Sequence, residues 1–336
     1  MLPHKLNPFG VYETDMFLSV KKSSGTYEFT ISGYDVNLYG LAFSPNNNMF
    51  SAINSDTFSG TTAEGAYIKQ LARIDTSGIT VRFNNLATDG VITDIFGTIS
   101  DSSQMFYSGR LQTGSIPNLY LPNLTNGYQM FTVCANFTSS MGSLYLPKLV
   151  NGAQMFSVCN NAIGSIPTLD FPMLENAAQM FYQCNKFNGS IPGFNSPLLT
   201  DVERMFASCS NLTGTIPNMY FPDVINAYRM FYTCNNLTGS ISNLYLPKLE
   251  NAAQMFFGCN KMSFSGISAA TWNINKNITN GALSTMFYNC KNMVANLTNL
   301  MAIFNKNFMQ DPGTHLFTFF NCNSIVGFAS IHANWK

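Results

Sequence analysis

The sequence predicts a solenoid of the α/β class, in which each coil contributes one short parallel strand and one short helix. Three observations carry this. The pair Met-Phe stands at 105, 130, 155, 180, 205, 230 and 255, so consecutive copies are 25 residues apart without insertion or deletion. An apolar-x-apolar-Pro phrase recurs in the same register, as Leu-Tyr-Leu-Pro from 119, 144 and 244. Each coil from 134 onward carries one Cys, four residues after its Met. A fixed period of this size makes each unit one supersecondary element that cannot bury its apolar face alone and has to stack on its neighbours.

Residues 1–74 do not follow the repeat. Tyr27, Phe29 and Ile31 alternate with Glu28 and Thr30 after a Lys-Lys-Ser-Ser-Gly turn, the pattern of a half-buried strand. A second apolar run, Val36 to Phe43, ends at Ser44-Pro45-Asn46-Asn47-Asn48, a loop by composition. From Ala63 to Arg73, the spacing of Ala66, Ile68, Leu71 and Ala72 predicts a short helix. The segment reads as a β-rich cap over the first coil, or as an attachment module for a larger assembly.

The repeats occupy 75–265. They fade in: Ile99 to Phe106 already matches later units, although Gly109 and Gln112 stand where those have Cys and Leu. The strand phrase places two side chains inward and one outward. Proline follows it at 122, 147, 172, 197, 222 and 247, and ends the ladder because it donates no hydrogen bond. An apolar residue comes next, then Asn126, Asn151, Asn176, Asp201, Asn226 or Asn251. That choice predicts a helix N-cap, whose side-chain oxygen accepts from the first-turn amides. Met230, Cys234 and Leu237, at i, i+4 and i+7 with Phe231 alongside, then predict two helical turns facing inward.

Strands stack about 4.8 Å apart, whereas helices are about 10 Å wide. The helical side of such a stack has to splay, which predicts a leucine-rich-repeat horseshoe with its strands on the concave face. Residues 266–336 read as two enlarged coils and a C-terminal cap. Met286-Phe287 through Cys290 keeps the signature after an insertion containing Trp272, and Phe319-Phe320-Asn321-Cys322 repeats it more faintly. With the regular units these make nine coils, a stack of about 40 to 45 Å at the strand spacing.

Met-Phe-x-x-Cys-x-x-Leu-Thr on a 25-residue period, together with Leu-x-Leu-Pro, resembles the BspA-like leucine-rich repeats of bacterial and protozoan surface proteins, over about residues 95 to 265. The resemblance implies an adhesin or recognition surface directed at host or matrix proteins.

Composition narrows the function classes. Seventeen basic residues balance seventeen acidic ones, and charged residues make up only 10% of the chain. That leaves no electrostatic footprint for nucleic acid or an anionic membrane. No run of about 18 apolar residues predicts a membrane span, and the first residues lack the basic-then-apolar pattern of a secretory signal. The expected location is therefore a virion assembled inside a cell, such as that of a phage, or a cell surface.

Six of the eight cysteines, Cys134 to Cys259, share one inward column and read as buried free thiols. No CxxC pair or histidine column predicts a metal site, and His4, His315 and His332 have no partner spacing that suggests catalysis. Asn-x-Ser/Thr triplets, such as those at 211 and 236, arise from the repeat phrase Asn-Leu-Thr and read as turn chemistry. No cofactor and no enzymatic activity are expected.

The outward strand position is the candidate binding surface. Its occupants are Tyr120, Tyr145, Asp170, Asn195, Tyr220 and Tyr245. Tyrosine offers a large contact area and a hydrogen-bonding tip at low entropic cost. The small, uncharged neighbours Asn118, Ser143, Thr168, Gly193, Asn218 and Asn243 suit a protein or glycan ligand. The expectation is a non-enzymatic recognition or adhesion protein; the alternative is a purely structural virion or surface solenoid without a ligand.

Overall fold

The computed structural model describes residues 16–22, 26–32, 41–44, 51–52, 57–61, 65–70, 79–83, 90–109, 112–264, 282–295, 317–330, 334 and 336. The repeats form a parallel β-solenoid of about six regular turns. Six successive bridges join Asp101, Asn126, Asn151, Asn176, Asp201, Asn226 and Asn251, one residue per coil. The coils share one apolar core of Met, Phe, Cys, Leu and Ile columns.

The N-terminal region is a set of strands: β1 (Met16–Lys22), β2 (Thr26–Ser32), β3 (Leu41–Ser44), β4 (Ser51–Ala52), β5 (Thr57–Thr61) and β6 (Gly65–Gln70). The strand predicted around Phe29 is β2. The short helix predicted over 63–73 is instead β6, paired antiparallel with β1 and β3. Tertiary pairing overrides a helical spacing this short. β7 (Thr80–Phe83) and β8 (Gly90–Phe96) lead into the coils.

Backbone pairing joins this region to the stack. β8 pairs parallel with β9 (Gln112–Ile116) and β10 (Asn118–Tyr120), and antiparallel with β1, so β1 lies along the first coil's edge. The Phe17 carbonyl accepts from the amides of Thr98 and Ile99, both at 3.0 Å. Gly97 sits against that carbonyl at φ 151°, and a Cβ there would lie 2.4 Å from the oxygen. Only glycine allows this approach.

The remaining strands are short: β11 (Phe137–Met141), β12 (Leu144–Tyr145), β13 (Leu169–Asp170), β14 (Phe194–Asn195), β15 (Met219–Tyr220) and β16 (Leu244–Tyr245). β10 pairs with β12, and β13 to β16 form a second parallel sheet in which equivalent residues lie opposite one another. Proline stands two residues beyond the end of β10 and of each of β12 to β16, as expected.

No α-helix occurs among the described residues. Where the sequence predicts a capped helix, each coil makes two linked turns. The residue before Met and the third residue after it have positive φ, as at Gln154 (56°) and Val158 (60°). A right-handed helix cannot continue through either position.

Backbone amides then alternate. In the coil at Gly127, the amides of Gly127, Gln129, Phe131 and Val133 donate to the carbonyls of Asn151, Ala153, Met155 and Ser157 in the next coil. Those of Met130, Thr132 and Cys134 close turns onto Gly127, Gln129 and Phe131. Direct hydrogen bonds of 2.7 to 3.1 Å therefore join the coils on this side, as they do on the strand side. With no helices to space the coils about 10 Å apart, the cause of a horseshoe is gone. The Tyr column lies on an outward strand face.

Identical side chains stack along the solenoid. The Phe column runs from Phe83 through Phe106, Phe131, Phe156, Phe181, Phe206, Phe231, Phe256 and Phe287 to Phe319, each ring stacked on the next. The register therefore survives the enlarged spacings after 259. Trp272 in the insertion lies outside the described residues. Ser196, the one polar residue in an otherwise apolar strand column, is buried with its hydroxyl unpartnered. The larger Phe194 compensates in volume, its ring edge against Phe221 at 5.8 Å.

Valine at positive φ is strained by its branched Cβ, whereas Asn tolerates the conformation. Replacing Val158, half-buried at φ 60°, by Asn should stabilise the protein by about 0.5 to 1 kcal/mol. Chemical denaturation should show a raised midpoint with an unchanged slope.

Candidate functional site

The structure places all six residues of the outward column on one strand face, but not as a uniform ladder. Tyr120 stacks on Tyr145 with ring centroids 4.8 Å apart, and Tyr220 on Tyr245 at 4.9 Å. Between these pairs Asn195 donates from Nδ2 to Oδ1 of Asp170 at 2.7 Å. The two tyrosines bordering this polar pair are also the more open: Tyr145 is 49% and Tyr220 59% exposed, against 37% for Tyr245. In each Tyr pair one ring face is covered by its partner.

The neighbouring column is partly committed to the fold. Asn118 donates from Nδ2 to Asp94, and its Oδ1 accepts from the Ser143 amide. Asn243 donates to the Ile216 carbonyl. Ser143, Thr168, Gly193 and Asn218 are exposed.

Three residues beyond the Tyr column lies a feature that the sequence reading did not weigh. Asn123, Lys148, Met173, Leu198, Asp223 and Lys248 form the column after the prolines. Lys148 donates to Asn123 at 2.9 Å, and Lys248 pairs with Asp223. The two central members are apolar yet open, Met173 at 46% and Leu198 at 39%. They belong to the coils of Asp170 and Asn195. A large apolar residue just past Pro in only two coils is visible in the sequence, although its exposure comes from the turn after the strand and not from the strand's alternation.

A second aromatic ladder was also missed. Tyr232, Phe257, Tyr288 and Phe320, each two residues after the Met position, stack at 4.6 to 4.9 Å. Beside it Arg229 lies over Tyr228 and Tyr232, and Arg204 over Tyr228. These rings are half-buried and already engaged, so the ladder braces the turn side.

The predicted N-cap residues have a different role. Asn151 Oδ1 accepts from the Ala153 amide at 3.1 Å, a turn two residues long, while its Nδ2 donates to Asn126 Oδ1 in the preceding coil. Asn126 does the same toward Tyr128 and Asp101, and Asn226 toward Tyr228 and Asp201. Gln104, Gln129 and Gln154 form a parallel amide ladder with 2.6 Å links.

Asp201 interrupts the Asn ladder. It accepts from the Glu203 amide and from Asn226 but has no amide to donate. Burial, with Glu203 nearby, pushes its carboxyl above the ordinary range despite these hydrogen bonds.

The cysteines are buried free thiols. Each Sγ–H donates to the carbonyl of the column's Phe in the coil before, as Cys184 does to Phe156 and Cys234 to Phe206, both at 3.0 Å. Burial pushes Cys134, Cys184 and Cys234 up to about 12. A thiolate is the reactive form, so these sulfurs are protected.

Among the described residues no group of three His, Cys, Asp or Glu comes together to hold a metal ion. His4, His315 and His332 lie outside the described residues. Among the described residues no helix is long and apolar enough to cross a membrane.

A family model described as "Mycoplasma protein of unknown function, DUF285" matches the chain over residues 96–194, 150–270 and 201–311. Neither the curated proteins nor the solved structures give a match.

Two outcomes follow for the columns. Asp201→Asn restores a donor toward Asn176, whose Oδ1 already receives the Ala178 amide; it should stabilise by about 1 kcal/mol at neutral pH. The sign comes from linkage. A carboxyl raised in the folded state costs stability as pH rises from its unfolded value through the raised one. The gain should therefore be full above that window and shrink below it, which thermal melts across acid pH will show. Separately, a thiol reagent should label the Cys134 to Cys259 column only on unfolding, with labelling following the unfolding curve.

Proposed function

The chain belongs to the DUF285 family, matched over 96–311; from its exposed strand face we propose that it is a non-enzymatic recognition or adhesion protein. It presents its outward strand face to a protein or glycan ligand. The observation that carries this reading is the exposure of Tyr145, Tyr220 and Tyr245 on one face. The rings of the Phe column, by contrast, are buried. Large, partly open aromatics on a rigid scaffold are the usual anchors of interfaces.

The resemblance to BspA-like leucine-rich repeats supports the same reading and suggests a surface context, on a phage virion or a bacterial envelope. β1, hydrogen-bonded along the first coil, makes the N-terminal strands the natural end for attachment to a larger assembly. Nothing in the charge balance favours nucleic acid.

A structural solenoid without a ligand is the second reading. It is favoured by the ladders of Phe, Asn and Gln that satisfy one coil against the next.

Joint replacement of Tyr145, Tyr220 and Tyr245 by Ala tests the choice. If the strand face is the binding surface, adhesion of the purified protein to host cells or matrix is lost while the melting temperature moves by only a few degrees, since exposed side chains contribute little to stability. Adhesion that survives the triple replacement overturns the reading.

A further inference from the structure

The break in the Tyr column is built as a slot. Tyr145 and Tyr220 stand three coils apart, about 14 Å at the strand spacing, and each has its partner ring on the far side. The two coils between them carry short side chains, so the inner ring faces form opposing walls. That accounts for these two rings being the most exposed of the column. The floor is the Asp170–Asn195 pair. One edge is the open apolar pair Met173 and Leu198, in the same two coils.

We propose that this slot receives a basic side chain, Arg or Lys, from an extended polypeptide partner lying along the strand direction. The inference rests on the recognition reading above and names the partner class for that face.

Charge complementarity decides the occupant. Asp170 is the only ionisable acid in the Tyr column, and its hydrogen-bond partner is a neutral amide. The nearest lysines in the next column are otherwise engaged, Lys148 with Asn123 and Lys248 with Asp223. A carboxylate beside open tyrosine faces attracts a cation twice over, by charge and through the ring quadrupole. A guanidinium fits best, since it can stack on a ring while donating to the carboxylate.

Met173 lies three residues beyond Asp170, in the turn that follows the strand. A partner segment with an apolar residue two or three positions from its basic one covers both features together. A neutral glycan would satisfy the Tyr faces but leave the carboxylate without a counter-charge.

The test uses the full chain, immobilised, against short peptides in which one Arg is followed two or three residues later by Leu. Matched peptides carry citrulline or Glu in place of Arg, and a glycan array is read in parallel. The Arg peptides should bind about tenfold or more tightly than the citrulline ones, the scale of a charged hydrogen bond. Asp170→Asn, which keeps the contact to Asn195, should abolish that discrimination without changing the melting temperature. Asp223→Asn should leave it intact.

Failure to bind any Arg peptide, or discrimination that survives Asp170→Asn, overturns the slot. Binding to glycans that depends on Tyr145 and Tyr220 but not on Asp170 also overturns it, while leaving the recognition reading in place. Only loss of the Tyr dependence removes both.

Discussion

The structure depends on how each coil disposes of its backbone amides at the Met-Phe corner. Every second amide closes a turn within its own coil, and the others donate to the coil ahead. A helix would satisfy those groups internally and leave coils to associate through side chains alone. Here the backbone itself bonds one coil to the next on the turn side as well as on the strand side. Burying these groups unpaired would cost about 1 to 3 kcal/mol each, so the alternation fixes the step between coils. The left-handed residues sit where the pattern switches: Gln129 and Val133 donate their own amides to the coil ahead, and the amides that follow, those of Met130 and Cys134, close turns within the coil.

Once the step is fixed, equivalent side chains lie directly over one another and the columns follow. A ring on a ring gives the Phe stack, and an amide on an amide gives the Asn and Gln ladders. The Cys column has a more specific cause. Each Phe carbonyl already closes a turn with the Cys amide of its own coil, as Phe156 does with Cys159. Its second lone pair is met by the next coil's Cys184 thiol. Alanine would leave the sulfur's space empty and that lone pair unused, and serine would bury a hydroxyl that is costlier to desolvate than a thiol.

This also explains what was legible in the sequence. The 25-residue period, the strand phrase, the terminating prolines and the inward Cys column all express stacking, and stacking shows as recurrence. The helix did not survive, because Met230, Cys234 and Leu237 at i, i+4 and i+7 are equally the inward residues of two linked turns. The deciding fact, positive φ at Gln154 or Val158, is unmarked in sequence where Gln and Val occupy it; only Gly258 at the same position, φ 75°, hints at it. The horseshoe fell with the helix, since splay was inferred from helix width. β6 was misread for a similar reason: a few apolar residues at helical spacing carry less weight than two neighbouring strands. At the site, period-two alternation placed all six outward residues correctly. The open Met173 and Leu198 were overlooked because they fall out of the strand's period-two phase, exposed by the turn that follows proline.

The division between columns that repeat and columns that vary separates stability from recognition. Met, Phe, Cys and Asn positions each serve two coils, so a change there is felt by both neighbours; truncating one Phe of the stack costs about 3 to 5 kcal/mol. The outward strand position touches its neighbours only side by side, and the backbone pairing beneath it does not depend on which residue it carries. Asp170 and Asn195 pair through the same register as Leu169 and Phe194 beneath them. A coil can therefore exchange a tyrosine for a short polar residue without disturbing the stack. In a molecule built from near-identical units, such exchanges are the means by which one stretch of surface becomes different from the rest. Two of them in adjacent coils are enough to open a slot between aromatic walls.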